Sequence, residues 1–418
     1  MNSWLECIGC HRRYDVTEIR YTCECGNLLS VERPVGWAQT VDRKLFDRRR
    51  GSLDPIDSSG VWRFREGVMD VEPARIVSHP EGGTHLYERE SLAREVGLRH
   101  LWFKHEGENP TGSFKDRGMS VAMTQARRVG ASAVACASTG NTSASLAAYA
   151  AQAGLRALVF VPAGKVALGK MAQTLAYGAT CLEVAGDFDA AMKLVTEAAR
   201  QLDIYLVNSI NPFRIEGQKT IVWEMLQDLG WQAPDFIVLP AGNLGNTSAF
   251  GKALREAFDG GWIDRVPRLV AVQARGANPF FRSFREQFSK RFTIEAETVA
   301  TAIRIGDPVS HEKARAAIDY TKGIVTEVSD EELLAAKSEI DGAGLGCEPA
   351  SAVTYAAVKN LRTAGTISAD ARVVCVLTGN LLKDPDSILG DQSRLARQII
   401  RIEPTIGAVK RAVDSAAH

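Results

Sequence analysis

The sequence predicts an α/β protein in which helices cover both faces of parallel β-sheets. Three observations support this fold class. The chain has 418 residues, enough for two packed cores with a small appendage. Hydrophobic residues make up 45% and charged residues 24%, which are ordinary globular values. From about residue 100 onward, short β-branched apolar runs alternate with longer helical segments, the pattern of parallel sheets.

The first 35 residues are predicted to form a small lobe that carries four cysteines. They read Cys-x2-Cys, twelve residues, then Cys-x-Cys-Gly. Four thiolates this close suit a tetrahedral zinc ion that staples a small lobe. The spacer of the second pair is one residue shorter than usual, so a ribbon with free cysteines is the alternative. The four are Cys7, Cys10, Cys23 and Cys25.

The other four cysteines stand among apolar neighbours and are predicted to be buried small hydrophobes. They are Cys136, Cys181, Cys347 and Cys375. Residues 36–80 are mixed in character. Within them the arginine run at 48–50 is typical of a solvated face, and 60–64 of a packed clasp.

Beyond residue 100, apolar runs bounded by turn residues predict strands, and amphipathic stretches predict helices. The predicted strands cover residues 133–136, 157–161, 180–184, 204–207, 236–239, 268–272, 324–328 and 373–377. The predicted helices cover residues 141–153, 167–177, 187–201, 214–229, 246–258, 330–342 and 350–362.

The charge balance argues against nucleic-acid binding. Fifty basic side chains balance fifty acidic ones, whereas a nucleic-acid binder usually carries a basic excess. No apolar run reaches membrane-spanning length, and the start MNSWLECIGCHRR lacks the basic-then-apolar order of a signal peptide. We therefore expect a cytoplasmic protein without nucleic-acid or membrane partners and without disulfides.

Three loops that follow predicted strands combine glycine with Asn, Ser or Thr. They lie at residues 138–143, 240–247 and 378–380. Glycine lets backbone N–H groups approach an anion, and a helix that starts there adds its positive dipole end. Ordinary helix capping would explain any one of them. We expect all three on the same edge of one sheet, which favours a phosphate cup at 240–247 and a second anion-facing turn at 138–143.

Lys115 follows the turn formed by Pro110 and Gly112, and helical periodicity starts there. A lysine at a helix start has a lowered pKa, because the local dipole disfavours an ammonium group, and this suits Schiff-base chemistry. By contrast, the P-loop-like segment 164–171 is declined as a nucleotide site. Met171 stands there in place of the hydroxyl residue that must bind magnesium.

Residues 109–118, NPTGSFKDRG, resemble the pyridoxal-phosphate lysine motif of the threonine synthase family, within the fold type II or tryptophan-synthase-β-like enzymes. The resemblance runs from about residue 60 to residue 383, most of the chain. The segment NSINPFRIEGQKT at 208–220 narrows it to the threonine synthase family. Other matching segments are GGTHL at 82–86, STGNTS at 138–143, PAGNLGN at 240–246, AIRIGDP at 302–308, EPAS at 348–351 and TGNLLKD at 378–384.

The resemblance implies two parallel-sheet, three-layer domains beside the cysteine-bearing lobe of residues 1–35. A small α/β domain over 101–212 would carry the Schiff-base lysine, and a large α/β domain over 213–390 would carry the cofactor phosphate cup. Residues 36–100 would form an N-terminal extension that packs on the large domain, and 391–418 a C-terminal tail. A homodimer is expected, since dimers are common in this family.

The resemblance also implies a cofactor, pyridoxal 5′-phosphate, and ligands for it. Lys115 would form the Schiff base and shuttle protons, and Asn141 would bond the 3′-oxygen. Thr378 would face the ring nitrogen, and a neutral hydroxyl there leaves that nitrogen largely unprotonated. The implied cradle for the cofactor phosphate consists of Gly242, Asn243, Leu244, Gly245 and Asn246.

The implied substrate is O-phospho-L-homoserine, which water converts to L-threonine and phosphate by β,γ-replacement. Its carboxylate would be held by Ser138, Asn141 and Thr142, and its phosphate by Asn208, Ser209, Arg214 and Asn243. The residues support two phosphate sites independently, since one cup is glycine-rich and the other bears an arginine. A salt bridge at a helix start is the alternative explanation of Arg214.

Two positions depart from the family pattern. His85 replaces the proline usual in the Gly-x-Thr-Pro-Leu turn, and Asn380 and Leu381 replace the usual histidine and glycine after Thr-Gly. The second change lies beside the ring nitrogen and bears on substrate fit. The alternative functions are a cysteate-synthase-like enzyme that uses O-phosphoserine, another pyridoxal-phosphate lyase, or a non-catalytic cofactor-binding protein, against which the intact Lys115 argues.

Overall fold

The structure is a computed structural model of the chain, and it describes residues 3–164, 168–389 and 401–416. The chain divides into two units, Met1–Lys383 and Asp384–His418. Three sheets in the first unit position the loops that carry the chemistry. The described part of the second unit contains the helices Asp386–Leu389 and Ile406–Ala416.

The N-terminal lobe is a three-stranded antiparallel sheet. Its strands are β1 (Trp4–Cys7), β2 (Arg13–Asp15) and β3 (Leu29–Glu32), in the order β2-β1-β3. Alternate residues of β1 and β3 are buried, as expected when one face of a sheet packs on a core. This buried face belongs to the same apolar cluster as Trp223 and Leu254 of the main body, so the lobe shares its core.

A second sheet of six strands forms the centre of the main body. Its strands are β4 (Leu86–Glu88), β5 (His100–His105), β10 (Phe236–Pro240), β11 (Arg268–Ala274), β12 (Ile324–Val328) and β13 (Arg372–Leu377). Their order is β12-β11-β10-β13-β5-β4, and only β4 is antiparallel to its neighbour. All five residues of β10 are buried, which is typical of a parallel sheet covered on both faces.

The third sheet has four parallel strands and contains the residues next to the predicted carboxylate site. They are β6 (Ala133–Ala137), β7 (Arg156–Pro162), β8 (Thr180–Val184) and β9 (Ile204–Leu206), in the order β8-β7-β6-β9. Strand β6 is fully buried, whereas the edge strand β8 is largely exposed.

Helices connect and cover these strands. In chain order they are α1 (Arg43–Arg50), α2 (Pro55–Ser58), α3 (Arg65–Val68), α4 (Glu90–Val96), α5 (Lys115–Arg128), α6 (Asn141–Ala153), α7 (Leu168–Ala176), α8 (Phe188–Gln201), α9 (Pro212–Gln218), α10 (Thr220–Asp228), α11 (Gly245–Asp259), α12 (Pro279–Arg285), α13 (His311–Tyr320), α14 (Asp330–Gly342), α15 (Pro349–Thr363), α16 (Asp386–Leu389) and α17 (Ile406–Ala416).

Aromatic side chains attach residues 36–80 to the main body. The ring of Phe46 lies 5.2 Å from that of Trp262, and the ring of Phe64 lies 5.8 Å from that of Trp223, both edge-on. Trp223 belongs to α10, and Trp262 follows α11. Edge-on aromatic pairs add to the free energy gained by burying these large rings, so this segment is part of the core.

The strand and helix predictions match the structure closely, with two differences. The predicted helix over 214–229 is two consecutive helices, α9 and α10, that meet at Lys219. Strand β5 has no predicted counterpart, and it pairs with β13 of the six-stranded sheet. Residues 101–105, which the sequence assigns to the small domain, therefore lie in the larger sheet. Their pattern is obscured because Lys104 and His105 are polar yet buried.

Among the described residues, no helix combines the length and the apolarity needed to cross a membrane. Within the P-loop-like segment 164–171, residues 165–167 lie outside the described part of the chain. Of the predicted tail over 391–418, the described part is 401–416, which contains α17.

Candidate active site

The site is built around Lys115, the first residue of α5. The preceding turn turns sharply at Gly112, whose φ of +84° is left-handed. The turn is then fastened to the loop after β13. Ser113 bridges to Gly379, and the Phe114 N–H donates to the Thr378 carbonyl at 3.0 Å. Lys115 is thereby held next to the carboxyl end of β13.

The surroundings of Lys115 disfavour a positive charge on its amine. Burial lowers its pKa to about 7, and the nearby guanidinium of Arg214 lowers it further, while the carboxylate of Glu348 opposes them. The direction agrees with the sequence prediction, and burial is the largest cause, followed by the charge of Arg214. A neutral amine is a nucleophile near neutral pH, so Lys115 suits covalent chemistry with an aldehyde.

The loop after β10 has the properties of a phosphate cup. Leu244 has a left-handed φ of +64°, and α11, a helix of 15 residues, begins directly after it at Gly245. A Cβ on Gly242 would lie 3.0 Å from Ile303 Cα, so glycine keeps this turn tight. Asn246 Oδ1 and Thr247 Oγ1 are buried without a hydrogen-bond partner in the described chain. Such atoms at a helix N-terminus fit the phosphate group of a cofactor.

A second polar pocket contains Arg214, on α9. Burial lowers the pKa of its guanidinium to about 10, and Nη1 donates to the Val207 carbonyl at 3.0 Å. Its Nε is buried without a hydrogen-bond partner among the described residues. A buried guanidinium with an unused donor fits an anion such as a substrate phosphate.

Asn208 and Ser209 adjoin this pocket. Asn208 exchanges two hydrogen bonds with the Ala137 backbone, at 3.0 and 3.1 Å, which pins the end of β9 beside β6. Its amide keeps one hydrogen for a ligand. The side chain of Asn243 donates to Ser209 Oγ at 2.8 Å and accepts from the Val309 N–H at 2.7 Å. Asn243 therefore joins the cup after β10 to the Arg214 pocket.

The turn after β6 supplies the third part of the site. Ser138, Asn141 and Thr142 are half-buried, and Asn141 is the first residue of α6. Ser138 Oγ accepts from the Gly140 N–H at 3.3 Å, and Asn141 Nδ2 donates to Glu348 Oε2 at 2.9 Å. A half-buried helix N-terminus with free hydroxyls can bind a carboxylate.

One prediction about these loops is wrong. They do not lie on one edge of one sheet, because 138–143 follows a strand of the four-stranded sheet, whereas 240–247 and 378–380 follow strands of the six-stranded sheet. The hydrogen bonds from Asn141 to Glu348 and from Asn243 to Ser209 join residues next to the four-stranded sheet to residues next to the six-stranded sheet. Strand periodicity does not reveal which sheet a strand joins, and this is why the sequence misplaces them.

The structure also brings forward residues that the sequence did not single out. Glu348 is buried, and its carboxylate accepts from Asn141 and from Thr378 Oγ1, the latter at 3.0 Å. Lys383 bonds to Gln173 of α7, and the charges of Asp116 and Glu348 act on it. The sequence signal for Glu348 is a carboxylate placed directly before a proline at a helix start, within a quoted motif.

The four N-terminal cysteines converge. Their sulfur atoms all lie within 4.8 Å of one another, with Cys7 and Cys25 at 3.4 Å and Cys10 and Cys23 at 3.5 Å. Sulfurs around zinc, each about 2.3 Å from the metal, are separated by about 3.8 Å. The N–H groups of Gly9 and Cys10 point at Cys7 Sγ, each at 3.4 Å. The donors suit thiolates, so the shorter spacer does not prevent convergence.

The prediction that the other four cysteines are buried is confirmed for three of them and wrong for Cys181. Cys136, Cys347 and Cys375 are inaccessible, whereas Cys181, on the edge strand β8, is half-buried. These side chains serve the core.

Comparison with known proteins decides the family. Residues 77–379 match the model of the pyridoxal-phosphate dependent enzymes. The chain is 45% identical, over 407 residues, to the threonine synthase of Methanocaldococcus jannaschii, an alignment that covers 97% of this chain and 98% of that protein. The chain belongs to the threonine synthase family. It is also 39% identical to threonine synthase 2, chloroplastic, of Arabidopsis thaliana, across 95% of this chain and 81% of that protein.

Solved structures agree on the fold. The processed form of threonine deaminase isoform 2 from Solanum lycopersicum superposes with a TM-score of 0.65 at 19% identity, covering 89% of this chain and 96% of that chain. A pyridoxal 5′-phosphate-dependent aspartate racemase gives 0.61 at 22% identity, covering 71% and 90%. At these identities the likeness concerns the fold alone. The predicted fold type II architecture, the family and its pyridoxal-phosphate dependence are confirmed.

Proposed function

We propose that this chain catalyses the threonine synthase reaction, in which O-phospho-L-homoserine and water give L-threonine and inorganic phosphate. One observation carries the proposal: a neutralised lysine amine lies between two separate anion pockets. Lys115 occupies the centre, the cup after β10 suits the phosphate of pyridoxal phosphate, and the pocket of Arg214 suits the phosphate of a substrate. A dehydratase acting on unphosphorylated amino acids would need one such pocket.

The cofactor, when bound, supplies an electron-accepting ring that stabilises negative charge next to the substrate amine. Its residues would be those named from the sequence. Lys115 would hold it through the amine, Asn141 would bond its 3′-oxygen, and Thr378 would face its ring nitrogen. Its phosphate would lie against Gly242, Asn243, Leu244, Gly245 and Asn246.

Lys115 would also move the protons of the reaction. Once its amine is released it is basic, and it would take the proton from the substrate Cα and later return a proton at Cγ. Its low pKa supports this role, because an amine that exchanges protons near neutral pH can act both as base and as acid.

The second pocket would hold the leaving group. Asn208, Ser209 and Arg214 would bind the γ-phosphate as the Cγ–O bond breaks and charge accumulates on the departing oxygen. Donors that are already aimed at this position stabilise that charge without reorganising. The substrate carboxylate would lie against Ser138, Asn141 and Thr142 at the start of α6. Water must reach Cβ late, so closure of the two sheets on the substrate is expected.

The decisive experiment compares phosphorylated substrates. Purified protein with pyridoxal phosphate should release phosphate from O-phospho-L-homoserine, and threonine should appear in equal amount. Lys115→Ala should release none. Release from O-phosphoserine with sulfite, but not from O-phospho-L-homoserine, would contradict the proposal and favour the cysteate-synthase-like alternative.

We also propose that the four N-terminal cysteines bind a structural zinc ion. The convergence of their sulfurs and the N–H groups directed at Cys7 support this. The ion would hold the two ends of the lobe together, because two ligands precede β2 and two follow it. The homodimer and the cytoplasmic location stay predictions.

A further inference from the structure

A chain of three buried oxygen-bearing side chains lies behind the proposed position of the cofactor ring. Ser351 belongs to α15, Glu348 precedes that helix, and Thr378 follows β13. All three are at most 4% exposed. Ser351 Oγ lies 3.0 Å from Thr378 Oγ1, which lies 3.0 Å from Glu348 Oε1. Because these side chains are buried, the direction of each hydrogen bond between them matters.

The proton of Ser351 has one possible destination. Ser351 Oγ accepts the N–H of Thr378 at 2.8 Å and the N–H of Gly379 at 3.2 Å. A hydroxyl oxygen has two lone pairs, and these two bonds use both. The Ser351 hydroxyl therefore donates to Thr378 Oγ1.

The proton of Thr378 is then directed away from the cleft. Thr378 Oγ1 donates to Glu348 Oε1, and the other carboxylate oxygen accepts from Asn141 Nδ2 at 2.9 Å. Gly379 permits this approach, because a Cβ there would lie 2.5 Å from Glu348 Cδ. Thr378 Oγ1 thus retains one lone pair and no proton for a ligand.

Burial and four neighbouring groups act on the pKa of Glu348 in opposite directions. Burial raises the pKa of this carboxyl group, whereas hydrogen bonds from Asn141 and Thr378 and the charges of Lys115 and Lys383 act in the opposite direction. Lys115 faces it from α5, and Lys383 from the segment after β13. The Glu348 carboxyl group lies at the end of this chain of hydrogen bonds, next to Thr378 Oγ1 and Asn141 Nδ2.

We propose that Ser351 and Glu348 make the Thr378 hydroxyl a hydrogen-bond acceptor toward the cofactor, so that the ring nitrogen facing it is held in its protonated form. The inference rests on the proposed function, which places Thr378 at that nitrogen. It differs from the expectation drawn from a neutral hydroxyl considered alone. Glu348 and Ser351 are positioning residues, since they act through Thr378.

The polarity matters for this reaction in particular. A β,γ-replacement removes protons from both Cα and Cβ before the phosphate leaves, so it demands more electron withdrawal than a simple β-elimination. A protonated ring nitrogen withdraws electrons more strongly than an unprotonated one. By holding the ring nitrogen protonated through Thr378, Glu348 would increase the electron withdrawal of the ring beyond what a hydroxyl alone allows.

Nitrogen NMR of the holoenzyme tests the proposal directly. The protein is loaded with pyridoxal phosphate labelled with ¹⁵N in the ring and measured at mildly alkaline pH. The wild type should show the upfield resonance of a proton-bearing ring nitrogen. Glu348→Gln should move it downfield, because the Gln oxygen still accepts from Asn141 while its NH₂ donates to Thr378, whose own proton then points to the ring.

Three further variants make each outcome decisive. Gly379→Ala, which displaces the Glu348 carboxylate, should give the same downfield shift, and it carries the test if the Gln variant does not fold. Glu339→Gln, a carboxylate of α14 paired with the half-exposed Lys359, should leave the resonance unchanged. Thr378→Val should also move the resonance downfield.

The outcomes distinguish failure of the role of Glu348 from failure of the placement of Thr378. A wild-type resonance already at the unprotonated position, or one that neither Glu348→Gln nor Gly379→Ala moves, overturns the inference. If Thr378→Val leaves the resonance unchanged, Thr378 does not face the ring nitrogen, and it is the assignment under the proposed function that fails.

Discussion

Lys115 carries its amine in surroundings that favour the neutral form, and this has a measurable consequence. The neutral amine is the form that reacts with the aldehyde of pyridoxal phosphate. Because the Lys115 pKa is about 7, the rate at which apoprotein captures the cofactor should rise with pH and level off above about pH 8. Stopped-flow absorbance of the visible band of the bound cofactor would measure this rate.

The variant Arg214→Ala tests the cause of the lowered Lys115 pKa. Its charge contributes to the low pKa of Lys115, so Arg214→Ala should shift the midpoint of the pH profile upward. A rate that keeps rising towards about pH 10, as an ordinary lysine would give, contradicts the environment described for Lys115.

Arg214 also belongs to the pocket proposed for the substrate phosphate, separate from the cofactor cup. A hydrogen bond to a charged group contributes about 1.5–3 kcal/mol, so Arg214→Ala should lower kcat/KM for O-phospho-L-homoserine by about 10- to 150-fold. Cofactor affinity, measured by equilibrium dialysis, should stay close to that of the wild type. Arg275→Ala, at a half-exposed arginine outside the site, is the matched control. Equal loss of cofactor and substrate binding would rule out this role.

The spacing between Lys115 and Arg214 is set by two helices, α5 and α9, that cross in backbone contact. A Cβ on Gly217 would lie 1.9 Å from the Arg117 carbonyl oxygen, and one on Gly118 would lie 2.9 Å from the Arg214 carbonyl oxygen. No larger residue fits either position without moving a helix. The base and the phosphate-binding cation therefore keep a fixed separation.

The cysteine-bearing lobe is tied to both larger sheets. Gln125 of α5 donates to the Val16 carbonyl at 2.6 Å, Lys313 of α13 donates to the Leu29 carbonyl at 2.5 Å, and the Leu206 N–H of β9 donates to Tyr21 Oη at 2.6 Å. Leu206 lies on an edge strand, so Tyr21 satisfies a donor that the sheet leaves open.

A metal in this lobe should therefore stabilise the folded chain. Purified protein should contain about one zinc ion per chain, and Cys7→Ser should lose it and lower the free energy of unfolding by at least about 1 kcal/mol, or roughly 2 °C in the unfolding midpoint. Metal analysis and thermal unfolding would measure both. Cys181→Ser, outside the cluster, should change neither. Full zinc content in Cys7→Ser would exclude a four-cysteine site.

Across the whole main body, one buried carboxylate joins segments that are far apart in sequence. Glu224 of α10 bonds to Arg63 at 2.6 Å, to Lys104 at 2.8 Å and to Arg117 at 2.7 Å, and it accepts the N–H of Gly83 at 2.8 Å. These partners lie on the extension, on β5, on α5 and on the turn before β4. The network thus holds the start of α5, with Lys115, against the larger sheet.

Removing this charge should destabilise the protein strongly. Glu224→Gln leaves three buried cations short of a partner and should cost about 3–5 kcal/mol in the free energy of unfolding, measured by urea denaturation. Glu339→Gln, which breaks the partly exposed pair with Lys359, should cost at most about 1 kcal/mol. Similar losses in the two variants would contradict the importance assigned to Glu224.

The difference in unfolding free energy between wild type and Glu224→Gln should depend on pH. The cations Arg117, Lys104 and Arg63 hold the pKa of Glu224 well below its usual range against the effect of burial. A lowered pKa contributes stability that is present above the unfolded-state value of about 4.3 and is lost as the pH falls below it. The gap between wild type and Glu224→Gln should therefore narrow in acid.

Local signals were enough to predict the strand–helix alternation, the polar loops and the importance of Lys115. Strands such as β6 and β10 are buried on both faces, so their apolar runs are visible without knowledge of any partner. The turn around Gly112 and the glycine-rich loop at 240–247 depend on backbone conformations that few other residues adopt. These features depend on residues close to one another in the chain.

Long-range contacts decided the rest. Strand β5 was missed because Lys104 is buried through a partner 120 residues away, and Glu348 was overlooked because its bond to Asn141 spans 207 residues. The assignment of each loop to a sheet depends likewise on pairing between distant strands. A polar residue is stable inside a protein when another group neutralises or hydrogen-bonds it, and where that group lies is a property of the folded chain.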